Sequence, residues 1–218
     1  MFDNFDLMVA ALAEGMWTTV WVTLTSFAIA LVIGAILVIM HVSPAAPARW
    51  AANAYTQLFR NVPLLAVLLI MYFGLPSIGI KADSWVWALL GLGLYTGALV
   101  GETLRSGINS IPLGQAEAAR SIGLTFGQSL GTVILPQSVR VVIPPLGSLL
   151  IALVKNSALV SAIGVTELTA QSRRLIENPQ SLYNLWAVII GVTVGYLLIA
   201  FVLSFLVGIV EKRTAFVR

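Results

Sequence analysis

Three groups of residues stand out as able to do chemistry in a chain that is otherwise apolar. Glu102 and Arg105 lie three residues apart, on one face of a helix, after an uncharged run from residue 84. Lys155, Asn156 and Ser157 put a charge and two hydrogen-bonding side chains inside a run that is apolar on both sides. Residues 110–136 read SIPLGQAEAARSIGLTFGQSLGTVILP, which is polar and short of large apolar side chains. Ionisable groups within a span cost about 2.5–3.5 kcal/mol each on insertion scales, so they pair or line a cavity. Glu102 therefore pairs with Arg105 or with Arg60, ahead of any direct ligand contact. Enzyme chemistry has little to work with. The chain has no Cys, a single His41, no HExxH or GxSxG pattern, and no Gly-Lys pair of the kind that cradles phosphate. With no second His or acidic cluster near it, His41 reads as a loop residue and not as a metal ligand.

The elements that carry these groups are membrane helices. With 59% hydrophobic residues, 10% charged residues and a mean hydropathy of +0.96 over 218 residues, a soluble domain is excluded. The expected fold is all-α, one membrane domain over 1–218. Five spans fall at about 17–40, 57–74, 84–110, 137–164 and 185–210, with a polar loop at 111–136. The acidic N-terminus lacks a basic region, so it reads as a short amphipathic surface helix and not as a cleaved signal. Residues 43–48, SPAAPA, read as a linker, and polar 165–184 as an outer helix touching a partner. An outside N-terminus and an inside C-terminus put eight basic residues within: Arg49, Arg60, Arg105, Arg120, Arg140, Lys212, Arg213 and Arg218. Lys81, Lys155, Arg173 and Arg174 remain outside or in the membrane, and Glu167 falls outward.

Local signals refine the plan. Pro112 suits a first helical turn and Gly123 the position just past a helix end. Thr125 and Gln128 have capping-box spacing, so a second short helix starts there. Ala116, Ala118 and Ala119 leave the first helix nearly bare between Glu117 and Arg120, a shape that seats in another protein's cleft. Gly93, Gly97 and Gly101 repeat every four residues and allow a neighbouring backbone to come close. Arg60 either snorkels to the inner headgroups or faces inward, and Pro63 fits a first turn. After Pro144 and Pro145, which loosen the fourth helix, the uncharged stretch to Val154 totals 14 residues from Val141. That is about 21 Å, too short to span alone. The triplet at 155–157 thus interrupts the span, and interrupted helices point to transport sites. Lys155 either turns inward or snorkels to the outer surface.

Several of these stretches resemble one family. Glu117-Ala118-Ala119, Gly123, Val133 and Leu135-Pro136 match the EAA loop of ABC importer permeases, with Val133 in place of the usual Ile. GETLRSGINSIPLGQAEAA, the RNVPLL and YFGLP elements of the second span, and the LVKNSAL element resemble polar amino acid permeases. With LIEN added, the likeness is greatest to actinobacterial glutamate-uptake permeases. The resemblance implies a type I ABC importer permease in the bacterial cell membrane, working by alternating access. It implies an ATPase pair that binds ATP and Mg in place of this subunit, a homologous permease (a heterodimer in preference to a homodimer), and an extracytoplasmic amino acid-binding protein. Lipid surrounds it, and nucleic acid has no part. Gly114, Gln115, Glu117, Ala118, Ala119, Arg120, Ser121 and Gly123 are then the ATPase-coupling residues. Lys155, Asn156, Ser157, Arg60 and Glu102 are candidates for the substrate path. Asn156 stands where relatives carry Asp, which favours glutamate, glutamine or aspartate over cationic substrates. A secondary carrier or channel is the alternative, and neither needs an EAA loop.

Overall fold

In the computed structural model, which describes residues 2–177 and 185–214, the chain is a bundle of long helices with a helical hairpin attached. Asn178 of the LIEN element and Arg218 lie outside the described residues. Helix α1 (Phe2–Val42) is continuous, so the separate amphipathic N-terminal helix expected from composition is not found. The reason is local: no proline interrupts this stretch, and Gly15 is buried at a helix contact and marks no break. His41 sits in the last turn of α1 and not in a loop.

The SPAAPA stretch is also more ordered than expected. Helix α2 (Ala46–Asn61) begins within it, with Pro47 in the first turn where its missing N–H costs nothing. The second span is therefore not one helix over 57–74. It is α2 followed by α3 (Leu64–Leu69) and its short continuation, bent by 104° at the junction. Pro63 causes the bend: it forces Val62 out of helical geometry to φ −104°, ψ 133°. A π turn (Ile70–Gly74) and a 3₁₀ turn (Leu75–Ile78) complete the span.

Helix α4 (Ser84–Asn109) packs most extensively against α1, and also against α2, α3 and α7. The glycine spacing explains the α1 contact. A Cβ at Gly93, Gly97 or Gly101 would meet Ile29, Ile33 or Leu37 at 2.6, 2.7 and 2.9 Å respectively. Three turns of α4 thus lie against three turns of α1 with no side chain between backbone and neighbour. Gly97→Leu is expected to force the pair apart at a cost of about 1–3 kcal/mol, the usual penalty of overpacking. Thermal denaturation in detergent checks it, and an unchanged midpoint would contradict the packing.

Helices α5 (Leu113–Ser121) and α6 (Phe126–Ser129) form the hairpin. A second π turn (Leu130–Ile134) leads into α7 (Leu135–Asn156), which stays helical through Pro144 and Pro145. Both π turns end one residue before a Leu-Pro pair. Proline cannot donate to the ladder and crowds the preceding turn, which the wider π turn relieves. After α7 come a 3₁₀ segment (Ser157–Ile163), then α8 (Leu168–Glu177) and α9 (Leu185–Thr214). Among the described residues, four helical stretches are long and apolar enough to cross a membrane, and the bent pair supplies a fifth.

Candidate functional site

The hairpin is built by three local devices. Pro112 stands at the N-cap of α5. Gly123, at φ +88°, reverses the chain in a conformation that other residues adopt only under strain. The capping box closes as the spacing predicts: Gln128 N donates to Thr125 Oγ1 at 3.4 Å, and Thr125 N donates to Gln128 Oε1 at 2.9 Å. Gly114, Gln115, Glu117, Ala118, Arg120, Ser121 and Gly123 are all exposed. Ala119 is not. It is buried in an element that packs on the π turn and α6, where it helps hold the hairpin together. Sequence reasoning overlooked three apolar side chains, Leu113, Ile122 and Phe126, exposed by 80%, 78% and 66%. The EAA pattern drew attention to small and charged positions, although exposed apolar groups are what a docking patch needs.

Within the bundle, Arg60, Glu102 and Arg105 come together from α2 and α4. Arg105 donates twice to Glu102, from Nε at 3.0 Å and Nη2 at 2.6 Å, while Arg60 Nη1 stands 3.9 Å from Glu102 Oε1. The fork to one carboxylate is the favoured guanidinium geometry. Glu102 also lines a cleft of about 340 Å³ between α4 and α7, with Thr103, Ser106, Ser110, Val142 and Pro145. Glu102→Ala leaves two guanidinium groups without their carboxylate, and a loss of about 1 kcal/mol is expected at this partial exposure. Changing Arg105→Glu in that background is expected to recover part of the loss. Equal stability of the wild type and single variants would show each charge to be solvated on its own.

The triplet marks the point where α7 passes into the 3₁₀ segment, so the helix changes type there but is not broken as the sequence suggests. Its members part ways. Lys155 is exposed and Asn156 half-buried, whereas Ser157 is fully buried and donates to the Val154 carbonyl at 2.7 Å. Ser157 thus has its hydroxyl committed to the backbone. No hydrogen bond or ion pair links Lys155 or Asn156 to the Glu102 cluster among the described residues.

A third polar site was missed altogether. Glu167, which the charge distribution puts on the outer side of the membrane, is fully buried at the start of α8. Its Oε2 accepts from Thr169 N at 2.9 Å and Tyr196 Oη at 2.6 Å, and Oε1 accepts from Ala170 N at 2.8 Å. Burial pushes the Glu167 carboxyl above the usual range, and the bonds from Tyr196, Thr169 and Ala170 pull it back. The available sequence signal was a carboxylate two and three residues before helical N–H groups, the spacing of an N-cap.

Several apolar spans, with a polar hairpin between the third and fourth, define a multi-pass membrane protein. The chain belongs to the family of binding-protein-dependent transport system inner membrane components, whose model matches residues 30–216. It is 38% identical over 217 residues to the glutamate transport system permease protein GluC of Corynebacterium glutamicum, covering 94% of each chain. It is 34% identical over 213 residues to the probable glutamine ABC transporter permease protein GlnM of Bacillus subtilis, covering 98% of this chain and 95% of the relative. Among solved structures, an amino acid ABC transporter crystallised with histidines matches with a TM-score of 0.90 at 30% identity, over 98% of both chains. The inward-facing MetNI methionine transporter shares the fold, with a TM-score of 0.76 at 22% identity over 96% of this chain and 98% of that one.

Proposed function

We propose that this subunit forms half of the translocation path of an ATP-driven importer for polar amino acids, with glutamate preferred and glutamine or aspartate next. The observation that carries the reading is the hairpin, which leaves Leu113, Ile122 and Phe126 exposed along with Glu117 and Arg120. Exposed apolar side chains interspersed with charges suit a cleft on a separate ATPase subunit, where the ATP and Mg²⁺ are held. A homologous permease completes the path, and an extracytoplasmic binding protein delivers the amino acid. The two glutamate- and glutamine-permease relatives support that substrate class. Within this subunit, Asn156, Lys155, Arg60 and Glu102 are the path candidates, with the cleft beside Glu102 available to a small polar solute. Ser157 contributes packing there.

The test is reconstitution of the subunit with its ATPase and second permease in proteoliposomes, followed by uptake of labelled glutamate with and without ATP and the binding protein. Uptake that requires both is expected. Uptake driven by an ion gradient alone would make the chain a secondary carrier.

A further inference from the structure

The Glu167 junction is more elaborate than a helix cap requires. Bonds from Thr169 N and Ala170 N already satisfy the cap, and a small exposed polar residue could have made them. The bond from Tyr196 is additional, and it ties α8 to α9. The same phenol lies 2.8 Å from Thr169 Oγ1, and Leu168 N donates to Thr19 Oγ1 of α1 at 3.2 Å. The fit around Leu168 is equally close. A Cβ at Gly15 would stand 2.8 Å from Leu168 Cα, and one at Gly195 would stand 2.9 Å from Leu168 Cδ2. The first turn of α8 is therefore sunk between α1 and α9, while Arg173, Arg174 and Glu177 stay exposed on its far side.

Helix α8 follows the end of α7 remote from the hairpin, so it lies at the extracytoplasmic end of the bundle. Nearer its other end α9 packs on α7, with Val207 seated directly on Gly147. Helix α7 in turn continues from the hairpin through the π turn. A contiguous set of packed elements joins the outer helix to the inner hairpin.

We infer that the Tyr196–Glu167 hydrogen bond is the contact through which engagement of α8 by the delivery protein moves α9, which makes Tyr196 a positioning residue for transport. The inference rests on the importer reading above. Coupling is an energetic link between two sites, and the test reads it directly. Tyr196→Phe keeps the ring and both cap bonds and deletes only the hydroxyl. In the reconstituted importer, ATP hydrolysis is measured without and with glutamate-loaded binding protein over a concentration series. Basal hydrolysis and the half-saturating concentration are expected to stay within about twofold of wild type, while the maximal stimulated rate falls about fivefold or more. Glu167→Ala should lose stimulation and also amide protection in α8. Glu167→Gln should recover part of the stimulation, because its amide can donate to the phenol while its oxygen accepts from a cap N–H. Full stimulation in Tyr196→Phe overturns the inference. So does an equal fall in basal and stimulated rates, which would mean that the bond only holds the fold together. A wild-type complex that the binding protein does not stimulate overturns the importer reading, and the inference with it.

Discussion

Replacing Gly123 with leucine is expected to abolish ATP-driven uptake while leaving the subunit in the membrane. Gly123 lies at φ +88° between α5 and α6, and its Cβ direction is open, with no atom within 4 Å. The substitution is thus not a steric clash but a backbone penalty, about 1–2 kcal/mol for a side chain in left-handed geometry. The chain can escape that penalty by re-forming the turn, which swings α5 away from α6. Ile122 and Phe126, exposed on either side of the turn, then change their relative placement. No membrane helix is touched, so insertion and yield should be close to wild type. Co-purification of the ATPase should fall by about tenfold, the effect of losing about 1.4 kcal/mol at an interface. If tagged Gly123→Leu subunit still retains the ATPase and supports uptake, the docking surface lies elsewhere.

The second large effect is expected at Asn156. It stands half-buried where the α-helical ladder gives way to 3₁₀ geometry, beside exposed Lys155. A neutral amide can donate to a carboxylate or to a substrate amide without repelling either. Asn156→Asp adds a fixed negative charge at a depth where screening is poor. Uptake of glutamate should fall about tenfold or more, with basic amino acids becoming the better competitors, while binding of glutamate to the delivery protein is untouched. Labelled uptake with acidic, amide and basic competitors reads this directly. An unchanged preference order would mean that selection is completed in the binding protein and that Asn156 serves packing.

What could be read from the sequence follows from how local each signal is. The limits of α4, the glycine face against α1, the Glu102–Arg105 fork and the Thr125–Gln128 capping box are written in residues three or four apart, and the structure contains all of them. The bend at Val62–Pro63 is also local, at the step from polar Arg60–Asn61 to the apolar LLAVLL run, but Pro63 reads equally as the start of a turn within one helix. The burial of Ala119 follows from the packing of α5 on the π turn, whereas its small size by itself suggests a bare face for a partner's cleft. Glu167 is the opposite case. A glutamate in a polar stretch looks like a surface residue, and it is buried because its neighbour Leu168 packs onto Gly15 and Gly195, on helices remote in the chain. No pattern within 165–177 carries that information.

The hairpin and the triplet belong to one rod. Residues Phe126–Ile163 form a 38-residue helical stretch whose geometry passes from α to π to α to 3₁₀ without leaving the helix. At helical rise it is about 57 Å long, roughly twice the thickness of the hydrocarbon layer. Such a rod acts as a lever with its fulcrum in the packed bundle, where α7 lies against α4 and α9. A tilt of about 5° around its middle displaces each end by about 2.5 Å, in opposite directions, and Asn156, about 17 Å from the middle, by about 1.5 Å. That is about half the length of a hydrogen bond, so a push small enough for a protein interface to deliver at the hairpin can make or break contacts around Asn156.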